Sequence, residues 1–127
     1  MAEPVTDLTT RVLERALDGT AVQQRVAASN LANLETPGYT ARRVAFEDQL
    51  RTAVRAAERG DARDALGKVR REIRMSAAPP GPDGNNVSIE AEMTDLGEAT
   101  LRYQILTRMI DRKLAMMGTA VGDGRSG

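Results

Sequence analysis

The chain has no cysteine, no histidine and no tryptophan, and its 127 residues include one phenylalanine and two tyrosines. Each absence closes a class of function. Without cysteine there is no disulfide, no thiol nucleophile and no thiolate metal ligand. Without histidine the commonest general base and the imidazole zinc ligand are gone. Aromatic side chains carry much of a compact core, so small and aliphatic residues must carry this one. Neither sign of charge is in excess, with 18 Lys and Arg against 18 Asp and Glu. That balance sets up no global field for nucleic acid or an anionic membrane. No apolar run approaches the roughly 20 residues that span a bilayer. Met1-Ala2-Glu3-Pro4 lacks the basic region and apolar stretch of a secretory signal. The expectation is one domain, exported, if at all, without a cleaved signal.

What is present favours helix. Ala, Leu, Met, Arg and Glu dominate, and all are helix formers. Residues 6–34 read as one helix. Leu13, Leu17, Thr20, Gln24, Ala27, Leu31 and Leu34 fall at alternating steps of four and three, which makes a stripe along one side. Small and polar members interrupt that stripe, which suits close helix–helix packing better than a thick core.

A second helix is expected over 87–121. Ile89, Leu96, Tyr103, Ile110 and Met117 recur every seven residues, and Ala99, Leu106, Lys113 and Ala120 lie three residues after members of that set. This is a heptad seam, widened by Met109 and Met116. Gly122, Gly124 and Gly127 mark residues 122–127 as a flexible tail. The fold class is therefore mainly α, with long N- and C-terminal helices packing as a coiled-coil-like pair. Such thin helices are marginal alone in water, which favours assembly over an isolated hairpin.

Between them, residues 35–86 read as a turn, a variable and partly disordered middle and a Pro/Gly loop. Pro37-Gly38 fits the centre of a type II turn. Tyr39 to Phe46 allows an extended segment anchored by Phe46. From Arg42 to Arg74 there are 10 basic and 6 acidic residues, a local net of +4. This stretch reads as a solvated, mobile segment, the alternative being a surface that orders on an acidic partner. Three prolines in Pro79-Pro80-Gly81-Pro82 forbid helix there.

Glu90, Glu92, Asp95 and Glu98 crowd the start of the last helix, where the helix dipole accounts for them. No base, nucleophile, phosphate loop or metal-ligand spacing accompanies them. The chain reads as a non-enzyme with no cofactor, metal or small-molecule ligand. Acidic residues interrupt the arginines and few aromatics are available for stacking, so nucleic acid is not an expected partner. A soluble coiled-coil adaptor remains the rival from another class.

The residues that say most are Asn30 and Asn33, three apart on one helix face, followed by Thr36-Pro37-Gly38-Tyr39. An ordinary helix end needs one cap and one breaker. The two amides are expected to bond backbone groups at the corner from Thr36 to Tyr39, or on a neighbouring subunit. This run resembles the N-terminal signature of bacterial flagellar rod, hook and hook-associated proteins. A second match, Asp83-Gly84-Asn85-Asn86-Val87 with Glu92 and Met93, and a third from Leu101 to Lys113, make the chain similar to the flagellar basal body rod protein family. Within it the proximal-rod FlgB group is nearest and the FlgC group is the alternative. The resemblance covers both ends and leaves out the stretch from Arg51 to Arg74.

The resemblance implies a structural subunit of the proximal rod, assembling helically to link the membrane ring to the distal rod and transmit torque. Implied partners are other rod subunits, membrane-ring and rod-adaptor proteins and the flagellar export apparatus. It also implies a periplasmic place reached by type III export. The expected helix-packing interface is Leu13, Leu17 and Leu31 on the first helix, and Ile89, Leu96, Tyr103, Leu106, Ile110 and Met117 on the second.

Overall fold

The computed structural model describes residues 5–61, 66–69 and 72–126. A 28-residue helix, α1 (Val5–Ala32), leads into a corner and a short strand, β1 (Arg42–Ala45). Helix α2 (Glu47–Ala56) follows and runs into a wider π-type turn at Ala57–Asp61. Strand β2 (Glu72–Met75) comes next, and a 38-residue helix, α3 (Ile89–Ser126), completes the chain.

Helices α1 and α3 pack side by side and antiparallel. Asn30 meets Glu92, whereas Gln24 donates to the Thr100 hydroxyl at 3.1 Å. Moving back along α1 thus moves forward along α3. The stripe expected on α1 faces inward. Leu13, Thr20 and Ala27 are buried, and Leu17, Gln24 and Leu31 are half-buried. On α3, Ala99 is buried, with Leu96, Leu106, Ile110 and Lys113 half-buried. Buried alanines on both helices let the backbones approach closely, and the seam is correspondingly thin. Ile89, Tyr103 and Met117, expected on the same seam, stay 52%, 37% and 41% exposed. Ile89 precedes the stretch that faces α1. By the antiparallel offset, Met117 falls opposite the first residues of α1, where the cover ends.

Phe46 fixes how the middle segment sits on α1. It is 4% exposed, and its ring edge from Cδ2 to Cζ lies against the helix at Gly19. A Cβ built at Gly19 would come within 2.3 Å of the ring. Glycine in a helix interior costs about 1 kcal/mol relative to Ala, and here the close approach of an aromatic ring explains it.

Strands β1 and β2 pair antiparallel, with Arg42 opposite Met75 and Val44 opposite Ile73. Arg43 faces Arg74 across the pair, and like charges opposite one another repel. Each arginine has its own carboxylate: Arg43 bonds Glu92, and Arg74 bonds Glu72 at 2.8 Å. The Arg74 hydrogen bond, then its charge, holds the Glu72 carboxyl below the usual carboxylate range.

Two expectations need correction. The helix over 87–121 starts at Ile89 and continues to Ser126 instead of ending in a tail at residue 122. Glycine weakens helix without forbidding it. The middle is irregular as expected, and its described residues include α2 and β2, with Leu66 and Val69 buried against Val12 and Leu50. The other correction concerns residues 72–75, which pair as a strand because β1 offers them a partner edge.

Candidate functional site

The two sequence motifs, more than 40 residues apart in the chain, meet at one corner. Helix α1 ends at Ala32, and a helix end leaves its last carbonyls without intrahelical donors. Asn85 supplies the donors from the far side of the middle segment. Its Nδ2 lies 2.9 Å from the Asn33 carbonyl, 3.0 Å from that of Leu34 and 2.8 Å from that of Thr36. Its Oδ1 accepts the Val87 N–H at 2.8 Å. One amide therefore closes α1 and shapes the entry to α3. Asn85 is 8% exposed.

Asn86 acts on the next stretch. Its Oδ1 accepts the Ala41 N–H at 2.6 Å, and its Nδ2 donates to the Ala78 carbonyl at 3.1 Å. The main-chain N–H of Asn86 donates to the Tyr39 carbonyl at 3.2 Å. Asp83 contributes its carbonyl, which accepts the Gly38 N–H at 2.9 Å, and its carboxylate, which accepts the Asn85 N–H at 3.1 Å.

The turn itself is of type II. The Tyr39 N–H donates to the Thr36 carbonyl at 3.2 Å, and Gly38 at the third position has φ +74°. Gly84 crosses directly over it with φ +82°, and a Cβ there would sit 3.2 Å from the Gly38 Cα. Two glycines face each other because the two loops touch backbone to backbone.

Asn30 lies at the buried heart of the corner with 0% exposure. Its Oδ1 accepts the Arg42 N–H at 3.0 Å and the Tyr39 hydroxyl at 3.3 Å. Its Nδ2 donates to the Arg42 carbonyl and to Glu92 Oε2, both at 2.9 Å. All four hydrogen-bonding positions of the amide are used. Glu92, also 0% exposed, takes Arg43 on its other oxygen at 2.5 Å. The buried charge is thus paired and hydrogen-bonded, as burial demands. Four segments converge on this pair: α1, the turn, β1 and α3.

Asn33 does less. Its Nδ2 donates back to the Ser29 carbonyl at 2.8 Å, and its Oδ1 accepts the Thr36 hydroxyl at 3.1 Å. The two asparagines share a helix face but not a task. Asn30 grips the backbone of Arg42, beyond the corner expected for it, and Asn33 trims the helix end. Pro37 and Gly38 are exposed, Val87 is half-buried, and Met93 points outward at 58% exposure. Arg43 and Gly19 were not singled out from the sequence. Nothing in an extended Arg-Arg pair or a single mid-helix glycine marks them before their partners are known.

The groups of the corner are amides, main chain and one ion pair, bonded to one another. Among the described residues no group of three or more acidic side chains is placed to hold a metal ion. No described helix is long and apolar enough to cross a membrane. The noteworthy exposed surface lies instead on α3. At about 100° per residue, Leu101, Ile105, Met109 and Met116 fall on the side away from Glu92 and Ala99. They are 58%, 49%, 48% and 62% exposed.

Comparison with known proteins bears on what this frame is for. Residues 11–40 match the family model described as flagella basal body rod protein. The chain is similar to the flagellar basal body rod protein FlgB of Salmonella typhimurium, 30% identical over 91% of this chain and 95% of that protein. It is 32% identical to FlgB of Cereibacter sphaeroides over 78% of this chain and 82% of that protein. FlgB of Bacillus subtilis is 28% identical over 89% of this chain and 92% of its own length. With the motif corner formed by residues from both ends and relatives matched across most of their length, the chain belongs to the FlgB family of flagellar basal body rod proteins.

Proposed function

We propose that this protein is a structural subunit of the proximal rod, built into the flagellar basal body through its helix pair. The observation that carries the reading is the contrast between its two regions. The corner at Asn30 and Asn85 is saturated with hydrogen bonds, whereas α3 leaves a row of large apolar side chains uncovered. A rigid bend with an uncovered helix face is what a subunit of a tube needs. The bend sets the angle, and the face joins neighbours. The subunit stacks helically between the membrane ring and the distal rod and passes torque along the stack. Its partners are other rod subunits, ring and rod-adaptor proteins, and it reaches the periplasm through the flagellar export apparatus. Residues 6–34 and 87–121 form the load-bearing pair of a single rod-type unit, and 35–86 connect them.

A clean deletion of the gene tests this reading, scored for swimming and for basal-body structure by electron microscopy. Rings without a rod, repaired by the wild-type copy, are expected. Normal rods and swimming without any second copy would overturn it.

A further inference from the structure

We propose that the uncovered row of α3 is an oxidation site, at which oxygen transfer from a peroxide to Met109 and Met116 disables the subunit before it assembles. The inference rests on the reading above, in which this row joins neighbouring subunits.

The chain has no cysteine and no tryptophan, so the thioethers of its six methionines are its only sulfur and its readiest two-electron reductants. Methionine is ordinarily among the buried residue types. Here all five described methionines are exposed: Met75 by 70%, Met93 by 58%, Met109 by 48%, Met116 by 62% and Met117 by 41%. Met109 and Met116 are the two that stand in the row with Leu101 and Ile105. They fall about 20° apart round the helix, whereas Met93 lies about 160° from Met109. Met75 stands apart from α3 altogether, on β2.

Hydrogen peroxide gives one oxygen to the sulfur. The O–O bond breaks, an S–O bond forms, the sulfur loses two electrons, and water leaves with both peroxide hydrogens. The sulfoxide is polar where the thioether was apolar. Two such groups strip the row of apolar surface that contact with a neighbour would bury, and full burial of one methionine shifts an equilibrium by about tenfold or more. None of the five methionines is buried, so oxidation leaves the buried Leu13, Ala27, Phe46 and Ala99 and the Asn30–Glu92 bond as they are. The subunit stays folded and loses its contact. Once the row is covered in a rod, peroxide no longer reaches it. Oxidation therefore acts on free subunits and spares assembled ones.

Hydrogen peroxide on the purified full-length chain, followed by peptide mass spectrometry, should place an added oxygen on Met109 and Met116 without moving the urea-unfolding midpoint. Three versions are then compared in the deletion strain: wild type, Met109→Leu with Met116→Leu, and Met75→Leu with Met93→Leu. Leucine keeps the volume and the apolar surface and has no sulfur to oxidise. Peroxide given as the gene is switched on should lower the number of rods about tenfold in the wild type and in the Met75 and Met93 variant, and less than about twofold in the Met109 and Met116 variant. In rods completed before the peroxide is added, both sulfurs should stay unoxidised. Met109→Gln with Met116→Gln, which sets a lasting polar group at each position, should stay folded and build few rods without any oxidant. Equal peroxide sensitivity of the three versions, rods of normal number carrying both sulfoxides, or normal assembly of the glutamine pair would each overturn the oxidation site and leave the rod reading standing. A deletion strain that still builds rods would instead overturn the rod reading itself.

Discussion

The side-chain amide of Asn85 closes the end of a helix that stops 53 residues before it, donating at 2.9 Å to the carbonyl of Asn33. A helix C-terminus is commonly closed by the next one or two residues of its own chain. Here the cap comes from the loop that leads into the other helix, so neither end can be finished without the other.

Asn85→Ala should therefore destabilise the folded chain by about 1–3 kcal/mol, the cost of leaving buried carbonyls unpaired. Asn85→Asp should be worse than Ala. It keeps an acceptor for Val87 but turns a carboxylate oxygen toward the carbonyls of Asn33, Leu34 and Thr36. Urea unfolding followed by far-ultraviolet circular dichroism ranks the two.

Asn30→Asp places a carboxylate against Glu92 in a site that is 0% exposed on both sides. Removing a favourable partner and burying like charge costs about 3–5 kcal/mol. The sign of the pH effect follows from the pair. At neutral pH two carboxylates repel, and at lower pH one takes a proton and donates to the other. The variant should regain stability as pH falls, while Asn30→Ala should not. Thermal unfolding of both variants across pH 4–8 is the measurement, and equal pH slopes would refute the mechanism.

Gly19→Ala substitutes a better helix former, yet it should destabilise. The new Cβ would meet the Phe46 ring at 2.3 Å, and overpacking of this kind costs typically about 1–3 kcal/mol. Phe46→Leu alone should also destabilise. The two together should cost less than their sum, and a double-mutant cycle by chemical denaturation measures the difference.

Gly38→Ala and Gly84→Ala separate backbone strain from contact. Both positions have positive φ, which costs an L-residue about 1–2 kcal/mol. At Gly38 nothing else is within 4 Å, whereas at Gly84 the new Cβ also meets the Gly38 Cα at 3.2 Å. Gly84→Ala should be the more damaging of the two by thermal unfolding.

What was readable in the sequence follows from the range of each interaction. The stripe through Leu13, Thr20 and Ala27 depends on helix period alone, and the structure buries those three. The type II turn at Pro37-Gly38 depends on four consecutive residues and forms as read. The heptads of α3 were legible as a seam, but not where α1 ceases to cover them, because that depends on the offset between the helices. Strand β2 escaped notice because Glu72-Ile73-Arg74-Met75 carries no signal until Arg42–Ala45 is opposite it. Asn30 and Asn85 were marked as unusual by their neighbours, but their partners at Arg42 and Thr36 were not. A side-chain amide shows that a bond is wanted and gives no indication of where it goes.

The clasp at the corner has one more consequence. The chain departs at Ala41 and returns at Ser76, whose N–H donates to the Ala41 carbonyl at 2.7 Å. Between those feet, Arg42 and Arg43 are held by Asn30 and Glu92, Phe46 packs on α1 at Gly19, and Glu47 bonds Gln23 and Arg102. Lengthening a closed loop is entropically cheap, about 0.6 kcal/mol for each doubling. The part of the excursion beyond Glu47 can therefore grow or shrink while the corner between α1 and α3 stays in place. The same bend is a grafting point, at which lineages can alter the girth of a subunit without rebuilding its frame.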